Sequence, residues 1–123
     1  MGLTEARFVD KPWGHEEIFA VTDRYVGKIL FVREGESLSL QYHEEKEETL
    51  RVLDGVVEFV TGPDVEHLNA ERLEAGAVFH ISPGTLHRMT AVSDCNLLEV
   101  STPELNDVVR LEDRYGRAGT SDP

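Results

Sequence analysis

The sequence predicts an all-β protein with a single domain, built as a sandwich or barrel. Apolar residues alternate with polar ones or form short runs, a period of two rather than the 3.6 of a helix. Turns rich in Gly, Pro and Asp separate these runs at intervals of roughly 8–12 residues, which is typical of sandwiches and barrels. A chain of 123 residues is long enough for one domain with its own core.

Nine segments are predicted to be strands, because each is short, apolar or alternating, and bounded by turn residues. They are Glu17–Ala20, Tyr25–Arg33, Ser37–His43, Thr49–Leu53, Val56–Thr61, Arg72–Glu74, Ala77–Ile81, His87–Ala91 and Leu97–Ser101. Asp54-Gly55 between two apolar runs predicts a hairpin, since a primed turn needs a positive φ. Only Asp107–Asp113 has a pattern that could be helical. We take residues 1–117 as the folded domain and 118–123 as a disordered tail.

The composition excludes some partners. Asp and Glu outnumber Lys and Arg by 24 to 12, a net charge of −12, so we expect no binding to nucleic acid or to a membrane surface. A phosphorylated small molecule stays compatible if the few basic residues converge on its site. Cys95 has no disulfide partner and is expected to be a small buried side chain on a strand. The chain begins without an apolar signal segment, and we expect a cytoplasmic protein.

A polar stripe ends one of the predicted strands. Side chains two positions apart on a strand share a face, which groups Ser37, Ser39, Gln41 and His43. The intervening residues, Leu38 among them, are expected to point the other way. Glu48 opens the next strand and His87 a later one.

Amide oxygen, imidazole and carboxylate together suit a divalent metal such as zinc, manganese, iron or nickel. Three or four protein ligands would leave coordination positions for water or substrate, as in catalytic sites. The residues alone leave an alternative open: strand histidines are commonly only hydrogen-bonded, and the acidic run ending at Glu48 could be a solvated loop. For His15, His67 and His80 we favour that alternative.

The spacing of these residues resembles the two cupin motifs. The first has Gly35, Gln41, His43, Glu48 and Gly55 in the positions of the motif, and Gln41 stands where histidine is usual. The second runs from Gly76 through Ser82-Pro83-Gly84 to His87. The resemblance implies a cupin barrel (double-stranded β-helix).

Three stretches resemble more narrowly the cupin domain of type II mannose-6-phosphate isomerases, which is often fused to a GDP-mannose pyrophosphorylase domain. They are Lys11–Gly14, Ser37–His43 and Asp107–Arg117. The resemblance implies a site with Gln41, His43, Glu48 and His87 as metal ligands. It implies zinc first, with manganese, iron, cobalt or nickel as alternatives.

The segment after His43 departs from that family. Further histidines, an arginine, an alanine and a His-Trp pair are usual there, whereas this chain has Glu44, Glu45, Lys46, Glu47 and then Thr49-Leu50. Lysine lacks the planar fork with which arginine grips phosphate. The nucleotidyltransferase part of the fused proteins has no counterpart in these residues, so we expect no GDP-mannose synthesis.

Aldose–ketose isomerisation also needs a base and cations for phosphate. Glu99 is the first candidate base, with Lys28 and His80 behind it. Arg110 is a candidate catalytic cation, and other basic side chains could also serve: Lys28, Lys46, Arg88, Arg114 and Arg117. The alternative to a catalytic role for Glu99 and Lys28 is that both side chains face solvent on the outside of a strand. Arg110, with Asp113, Tyr115 and Arg117, could instead clasp the tail to the barrel.

Three functions therefore compete. A metal-dependent sugar-phosphate isomerase of the mannose-6-phosphate type is the first. The second is a non-catalytic metal-binding cupin that binds a sugar or small acid, suggested by the altered residues after His43. The third is a metal-dependent oxygenase, which Gln41 disfavours because histidine is more common there. We also expect a homodimer, in which a strand such as Glu17–Ala20 is exchanged to cover a sheet edge.

Overall fold

Every regular element in residues 2–120, the part of the chain that the computed structural model describes, is a β-strand. In chain order the strands are β1 (Arg7–Lys11), β2 (Gly14–Val21), β3 (Val26–Val32), β4 (Leu40–Tyr42), β5 (Glu48–Asp54), β6 (Val56–Gly62), β7 (Asn69–Glu74), β8 (Val78–Ile81), β9 (Leu86–Ala91), β10 (Cys95–Ser101) and β11 (Val109–Glu112). Residues 2–120 therefore contain no helix of the length and apolarity that crossing a bilayer requires.

The strands form two antiparallel sheets around one core, as the sequence predicts. The six-stranded sheet has the order β1-β2-β3-β10-β5-β8, and the five-stranded sheet has the order β11-β4-β9-β6-β7. Connections such as β3–β4, β5–β6 and β9–β10 pass from one sheet to the other. Strands far apart in sequence thereby become neighbours, and this arrangement is what assembles the site described below.

Side chains that alternate along β3, β5 and β10 fill the space between the sheets. Leu30, Leu50 and Leu97 are at most 2% exposed, and burial of each contributes about 1.5–3 kcal/mol. Trp13, just before β2, packs against the same cluster. Trp13 thus anchors the N-terminal segment to the core.

Two strands lie outside the predicted set, and one predicted strand is shorter. β1 pairs with β2 in an N-terminal hairpin. The segment expected to be helical instead contains β11, in which Val109 and Arg110 pair with Tyr42 and Gln41 of β4. Its local pattern is ambiguous, and the open edge of β4 supplies backbone partners for a strand. Of the predicted strand Ser37–His43 only β4 is regular, and Ser37 forms an isolated bridge with Thr90.

The predicted hairpin at Asp54-Gly55 is wrong, because β5 and β6 belong to different sheets. β5 is already paired on one edge with β10 and on the other with β8. The turn instead carries the chain around a corner of the barrel. Gly55 adopts a φ of 80° there, and the Asp54 carboxylate accepts a hydrogen bond from the Asn96 backbone N–H (3.0 Å).

We expect Gly55→Ala to lower the free energy of unfolding by about 2–4 kcal/mol, measured by urea denaturation. The left-handed backbone costs a side chain about 1–2 kcal/mol, and an added Cβ would collide with the Asp94 carbonyl oxygen and with Cys95. Gly35→Ala is the matched control, since Gly35 has a φ of 81° but open space around its Cβ position. Equal losses for the two variants would contradict the role of crowding.

The segment after β11 clasps the β3–β4 turn. Asp113 accepts hydrogen bonds from the Arg117 side chain and backbone (2.9 and 2.8 Å), while Arg114 donates to the Gly35 carbonyl (2.6 Å). The Tyr115 hydroxyl donates to Glu36. Within the predicted tail, the Gly119 N–H donates to the Arg110 carbonyl (3.0 Å). Residues 121–123 lie outside the described residues, and disorder of residues 118–123 stays a prediction.

Candidate functional site

The four side chains predicted as metal ligands lie at one end of the barrel, where the sheets meet. Gln41 on β4 and His87 on β9 are register partners in the five-stranded sheet. Glu48 reaches them from β5 in the other sheet. His43 directly follows β4, and its carbonyl oxygen accepts a hydrogen bond from Gly84 (2.7 Å). Strand crossing between the sheets therefore brings together residues up to 46 positions apart.

Three of these side chains form a compact cluster that could hold a metal ion. The Glu48 carboxylate lies 3.7 Å from His43 Nε2 and 3.6 Å from His87 Nε2. One ligand atom from each side chain fits within 4.8 Å of the others. All three residues are buried, and His43 Nε2 has no hydrogen-bond partner. A buried nitrogen left without a partner costs free energy, and a bound cation would satisfy it.

Backbone carbonyls orient both imidazole rings. His43 Nδ1 is 2.6 Å from the Asp107 carbonyl oxygen, and His87 Nδ1 is 3.0 Å from that of Thr85. Because a carbonyl oxygen only accepts, each Nδ1 donates a hydrogen bond to it, and each Nε2 faces Glu48. This is the arrangement in which metal-ligating histidines are usually held.

The pKa values of His87 and Glu48 favour binding of a cation. Burial lowers the pKa of His87 to about 4, although the Glu48 charge acts in the opposite direction. Burial acts to raise the pKa of Glu48, but His43, Lys46 and His87 outweigh it and hold that pKa far below its ordinary value. At neutral pH His87 is therefore neutral and Glu48 is ionised, the states in which both bind metals.

Gln41 lies against the cluster with its amide nitrogen turned inward. Its Nε2 is 3.5 Å from His87 Nε2, and its Oε1 accepts a hydrogen bond from Ser39 Oγ (2.5 Å). An amide nitrogen is a donor and does not ligate a cation. A half-turn of the terminal amide would present the oxygen instead. The predicted alternation of this segment fails at Leu38, which lines the same cavity as Gln41 and His43.

A chain of buried ion pairs runs from the cluster into the barrel. Lys46 Nζ is 2.9 Å from Glu48 and 3.2 Å from Glu99. Lys28 Nζ then lies 4.0 Å from Glu99 and 3.3 Å from Glu16, and Glu16 is 4.0 Å from Lys11. Burial acts to lower the pKa of Lys46, but the charges of Glu99 and Glu48 outweigh it and raise that pKa.

Cationic side chains also line the same cavity. The cavity has a volume of about 60 Å³. Its walls carry five basic side chains against three acidic ones, in a chain whose net charge is −12. Burial lowers the pKa of Lys11, and the positive charges of Lys28, Arg117 and Arg110 lower it further, opposed by Glu16. The barrel interior therefore attracts anions although the molecule as a whole repels them.

The three predicted catalytic residues all line this cavity. Glu99, Lys28 and Arg110 are 4%, 5% and 6% exposed, so the alternative that Glu99 and Lys28 face solvent is wrong. Arg110 lines the cavity and also donates a hydrogen bond to the Thr120 hydroxyl (3.0 Å). It thereby connects the site with the end of the clasp.

The remaining histidines are hydrogen-bonded or packed outside the cavity, as expected. His80 contacts Thr49 and Glu47, which excludes it as a base for this cavity. His67 pairs with Asp64 on the surface. His15 stacks on Phe31 on the outside of the six-stranded sheet.

Sequence reasoning did not identify Asp107 as a residue that builds the site. Its carboxylate accepts hydrogen bonds from the backbone N–H groups of Glu44, Glu45 and Lys46 (2.9, 2.7 and 2.8 Å), and its carbonyl holds His43. Burial acts to raise the pKa of Asp107, but these three N–H groups lower it. The one feature of the sequence that could have pointed to Asp107 is that it opens the closing segment Asp107–Arg117, which resembles the family.

Cys95 is buried on β10, as predicted. Burial raises the pKa of its thiol to about 11, with help from the charges of Asp54 and Asp94. Since the thiolate is the reactive form, we expect a thiol reagent such as DTNB to react with the native protein at pH 8 at least about 100-fold more slowly than with the urea-unfolded chain. Comparable rates would contradict this burial.

Comparison with known proteins assigns the family. The sequence profile described as "Mannose-6-phosphate isomerase C-terminal" matches residues 3–113. The chain belongs to this family. Mannose-1-phosphate guanylyltransferase of Escherichia coli K12 is 33% identical over 118 residues, which are 90% of this chain and 23% of the relative. Xanthan biosynthesis protein XanB of Xanthomonas campestris is 32% identical over 124 residues, 94% of this chain and 26% of that protein. The chain thus spans about a quarter of these relatives.

Solved structures share the fold. KdgF from Halomonas superposes with a TM-score of 0.68 at 20% identity, covering 79% of this chain and 87% of that one. Oxalate decarboxylase from Bacillus subtilis superposes with a TM-score of 0.76 at 13% identity, covering 87% of this chain and 30% of that one, and that enzyme has Mn(II) centres. These similarities confirm the predicted cupin barrel.

Proposed function

We propose that this cupin is a metal-dependent sugar-phosphate isomerase that interconverts an aldose and a ketose, with mannose 6-phosphate as its substrate. One observation carries the proposal: a single buried cavity is lined both by side chains that can ligate a metal and by a cluster of cations. The substrate carries the two matching groups, a carbonyl and a phosphate. Membership of the family named for this isomerase supports the proposal.

Gln41, His43, Glu48 and His87 would hold the metal. Two imidazole nitrogens and a carboxylate are common zinc ligands, so zinc is proposed first, ahead of manganese, iron, cobalt and nickel. A bound divalent cation would polarise the sugar carbonyl and stabilise the charge that develops on its oxygen. Glu48 is the only anion among the four ligands, which leaves the cation more electrophilic than two carboxylates would.

Glu99 is the proposed base. Its carboxylate would take the proton from the carbon beside the carbonyl, the electrons of that C–H bond would form a carbon–carbon double bond, and the carbonyl π electrons would pass to the carbonyl oxygen to give an enediolate. Return of the proton to the former carbonyl carbon, with transfer of the hydroxyl proton from one sugar oxygen to the other, completes the exchange. Lys46 and Lys28 pair with the Glu99 carboxylate at 3.2 and 4.0 Å. Lys28 would stabilise negative charge on the sugar oxygens.

Arg110, Arg117 and Lys11 would bind the phosphate. Arginine pairs with phosphate through two parallel hydrogen bonds, which fixes orientation as well as supplying charge. A cavity of about 60 Å³ holds only a few water molecules. Binding of a hexose phosphate must therefore displace part of the wall, and the β10–β11 connection that carries Leu105 and Val108 is the segment we propose to move.

The test is direct. Purified protein loaded with Zn²⁺, Mn²⁺ or Co²⁺ should convert mannose 6-phosphate to fructose 6-phosphate in a coupled assay, and Glu99→Gln should lose this activity. Absence of turnover in protein that elemental analysis shows to be metal-loaded would overturn the proposal.

A second candidate is a non-catalytic cupin that binds a sugar phosphate or a small acid. The ion pair between Glu99 and Lys46 favours it, because the Lys46 ammonium group lies 3.2 Å from the carboxylate oxygen Oε2 and so competes with a substrate proton for it. Thermal stabilisation by mannose 6-phosphate without turnover is the result expected for this function. Turnover of the bound sugar would exclude it.

We also propose a homodimer. The strand predicted to be exchanged lies in β2, which is paired on both sides with β1 and β3 of its own chain and therefore offers no free edge. β1 lies at one edge of the six-stranded sheet, and Phe8 on this strand is 65% exposed. Pairing of β1 with a second copy would cover both. A monomer by light scattering would contradict this.

A further inference from the structure

Lys46 is a buried lysine inside the candidate metal site. It is 6% exposed, although Glu44, Glu45 and Glu47 beside it face solvent. Its backbone N–H donates to Asp107 Oδ2 (2.8 Å), which fixes where the side chain starts. Its ammonium group then reaches Glu48 at 2.9 Å and Glu99 at 3.2 Å. Burial of a lysine is costly unless its charge is paired, and here two carboxylates pair it.

Lys46 and His43 face the same oxygen of Glu48. Oε2 lies 2.9 Å from Lys46 Nζ and 3.7 Å from His43 Nε2, whereas Oε1 faces His87. A cation bound by His43 Nε2 and Glu48 Oε2 therefore shares Oε2 with an ammonium group or displaces that group. Two positive charges this close repel strongly in a buried site.

We infer that Lys46 is a built-in competitor for the metal: its ammonium group holds the Glu48 carboxylate when no metal is bound, and it sets the metal affinity by having to yield that carboxylate. The inference rests on the metal site of the proposed function. It adds a positioning residue to that site, since Lys46 acts on the metal through Glu48.

Glu99 makes the exchange feasible. When Lys46 yields Glu48, it can keep its ionic partner by moving closer to Glu99, whose Oε2 has no hydrogen-bond partner of good geometry. No buried charge is then left unpaired. A buried charge without a partner would destabilise the protein strongly. The same movement tightens the contact of Lys46 with Glu99, so occupancy by metal is linked to the environment of the proposed base.

The test compares Zn²⁺ affinities of metal-free proteins by competition with a chromophoric chelator. Lys46→Met removes the charge and keeps the length of the side chain, and we expect it to bind Zn²⁺ about tenfold more tightly or more. Lys46→Arg keeps the charge and should restore the affinity of the unchanged protein to within about threefold. Zn²⁺ binding by Lys46→Met that equals or falls below that of the unchanged protein would overturn the inference.

Lys28→Met is the matched control. Lys28 is as buried as Lys46 and also faces Glu99, but its closest partner is Glu16 and not Glu48. Its replacement should change Zn²⁺ affinity by less than about threefold. An increase equal to that of Lys46→Met would show a general charge effect and overturn the inference.

Thermal unfolding separates this role from a purely structural ion pair. We expect Lys46→Met to lower the Tm of the metal-free protein and Zn²⁺ to restore it, so that the rise in Tm on adding Zn²⁺ is larger than for the unchanged protein. A structural ion pair would lower the Tm equally with and without Zn²⁺, which would contradict competition.

A measurement on the unchanged protein keeps the inference testable if the variants do not fold. In ¹⁵N-lysine NMR spectra, the Lys46 Nζ signal should move when Zn²⁺ is added, and it should move further than that of Lys28. An unmoved signal at saturating Zn²⁺ would overturn the inference. If the unchanged protein binds no divalent metal, the metal site fails as well; if it binds metal without turnover, only the isomerase function fails.

Discussion

Replacement of His87 by alanine is expected to lower the affinity for Zn²⁺ by more than about 100-fold. His87 presents a neutral Nε2 3.6 Å from Glu48, and the Thr85 carbonyl fixes that orientation. Loss of a partner that merely orients a ligand costs about 10–100-fold in metal affinity, so loss of the ligand itself should cost more. Chelator competition on the metal-free variant measures the change, and sugar-phosphate turnover should disappear with the metal.

His80→Ala is the control for this prediction. His80 lies on β8, the strand that precedes β9 along the chain but belongs to the other sheet. Its side chain is 48% exposed and paired with Glu47. Its replacement should leave Zn²⁺ affinity and Tm essentially unchanged. Because His87 is buried, the Tm of the metal-free His87→Ala protein must also be recorded to show that the barrel is folded. A folded His87→Ala protein with unchanged Zn²⁺ affinity would refute the metal centre.

Replacement of Arg110 by methionine is expected to lower kcat/KM for mannose 6-phosphate by about 30- to 150-fold, most of it through KM. The proposed phosphate site would lose a charged hydrogen-bond donor, which is worth about 2–3 kcal/mol when its partner is charged. Steady-state kinetics of the zinc-loaded variant measure this loss. Its Zn²⁺ affinity should stay close to that of the unchanged protein, because Arg110 is not among the proposed ligands.

Arg88→Met provides the comparison. Arg88 pairs with Glu112 at 3.5 Å on the outside of the five-stranded sheet, where Glu112 is exposed and Arg88 is half-buried, so its replacement should leave kcat/KM unchanged. Inorganic phosphate should also inhibit the unchanged enzyme more strongly than the Arg110→Met variant. Equal inhibition of the two would indicate that phosphate binds elsewhere.

The fold class could be predicted because strand periodicity and turn spacing are local properties. The predictions of secondary structure are wrong where residues distant in sequence determine which strand forms or pairs. Val109–Glu112 has an ambiguous local pattern, and it becomes a strand because β4 offers an open edge. Asp54-Gly55 has the chemistry of a hairpin turn, but β5 is already paired on both edges and the turn joins two sheets instead.

The residues of the candidate site were likewise only partly predictable from the sequence. The cupin spacing singled out Gln41, His43, Glu48 and His87, and the fold brings these four side chains together. The sequence identified Lys46 only as a possible phosphate-binding cation, because a lysine within an acidic run has the pattern of a solvated loop. In the structure the backbone N–H groups of Glu44, Glu45 and Lys46 donate hydrogen bonds to the Asp107 carboxylate, and the Lys46 side chain is buried.

By itself the sequence determined the all-β architecture, the polar side chains able to ligate a metal, and the shortage of cations in an acidic chain. Only the tertiary structure decided which charges are buried together. Lys11, Lys28, Lys46 and Arg110 come from four separate segments, and closure of the barrel places them on one cavity. Periodicity reports which face of a strand is buried, but the pairing of buried charges depends on which strands become neighbours in space.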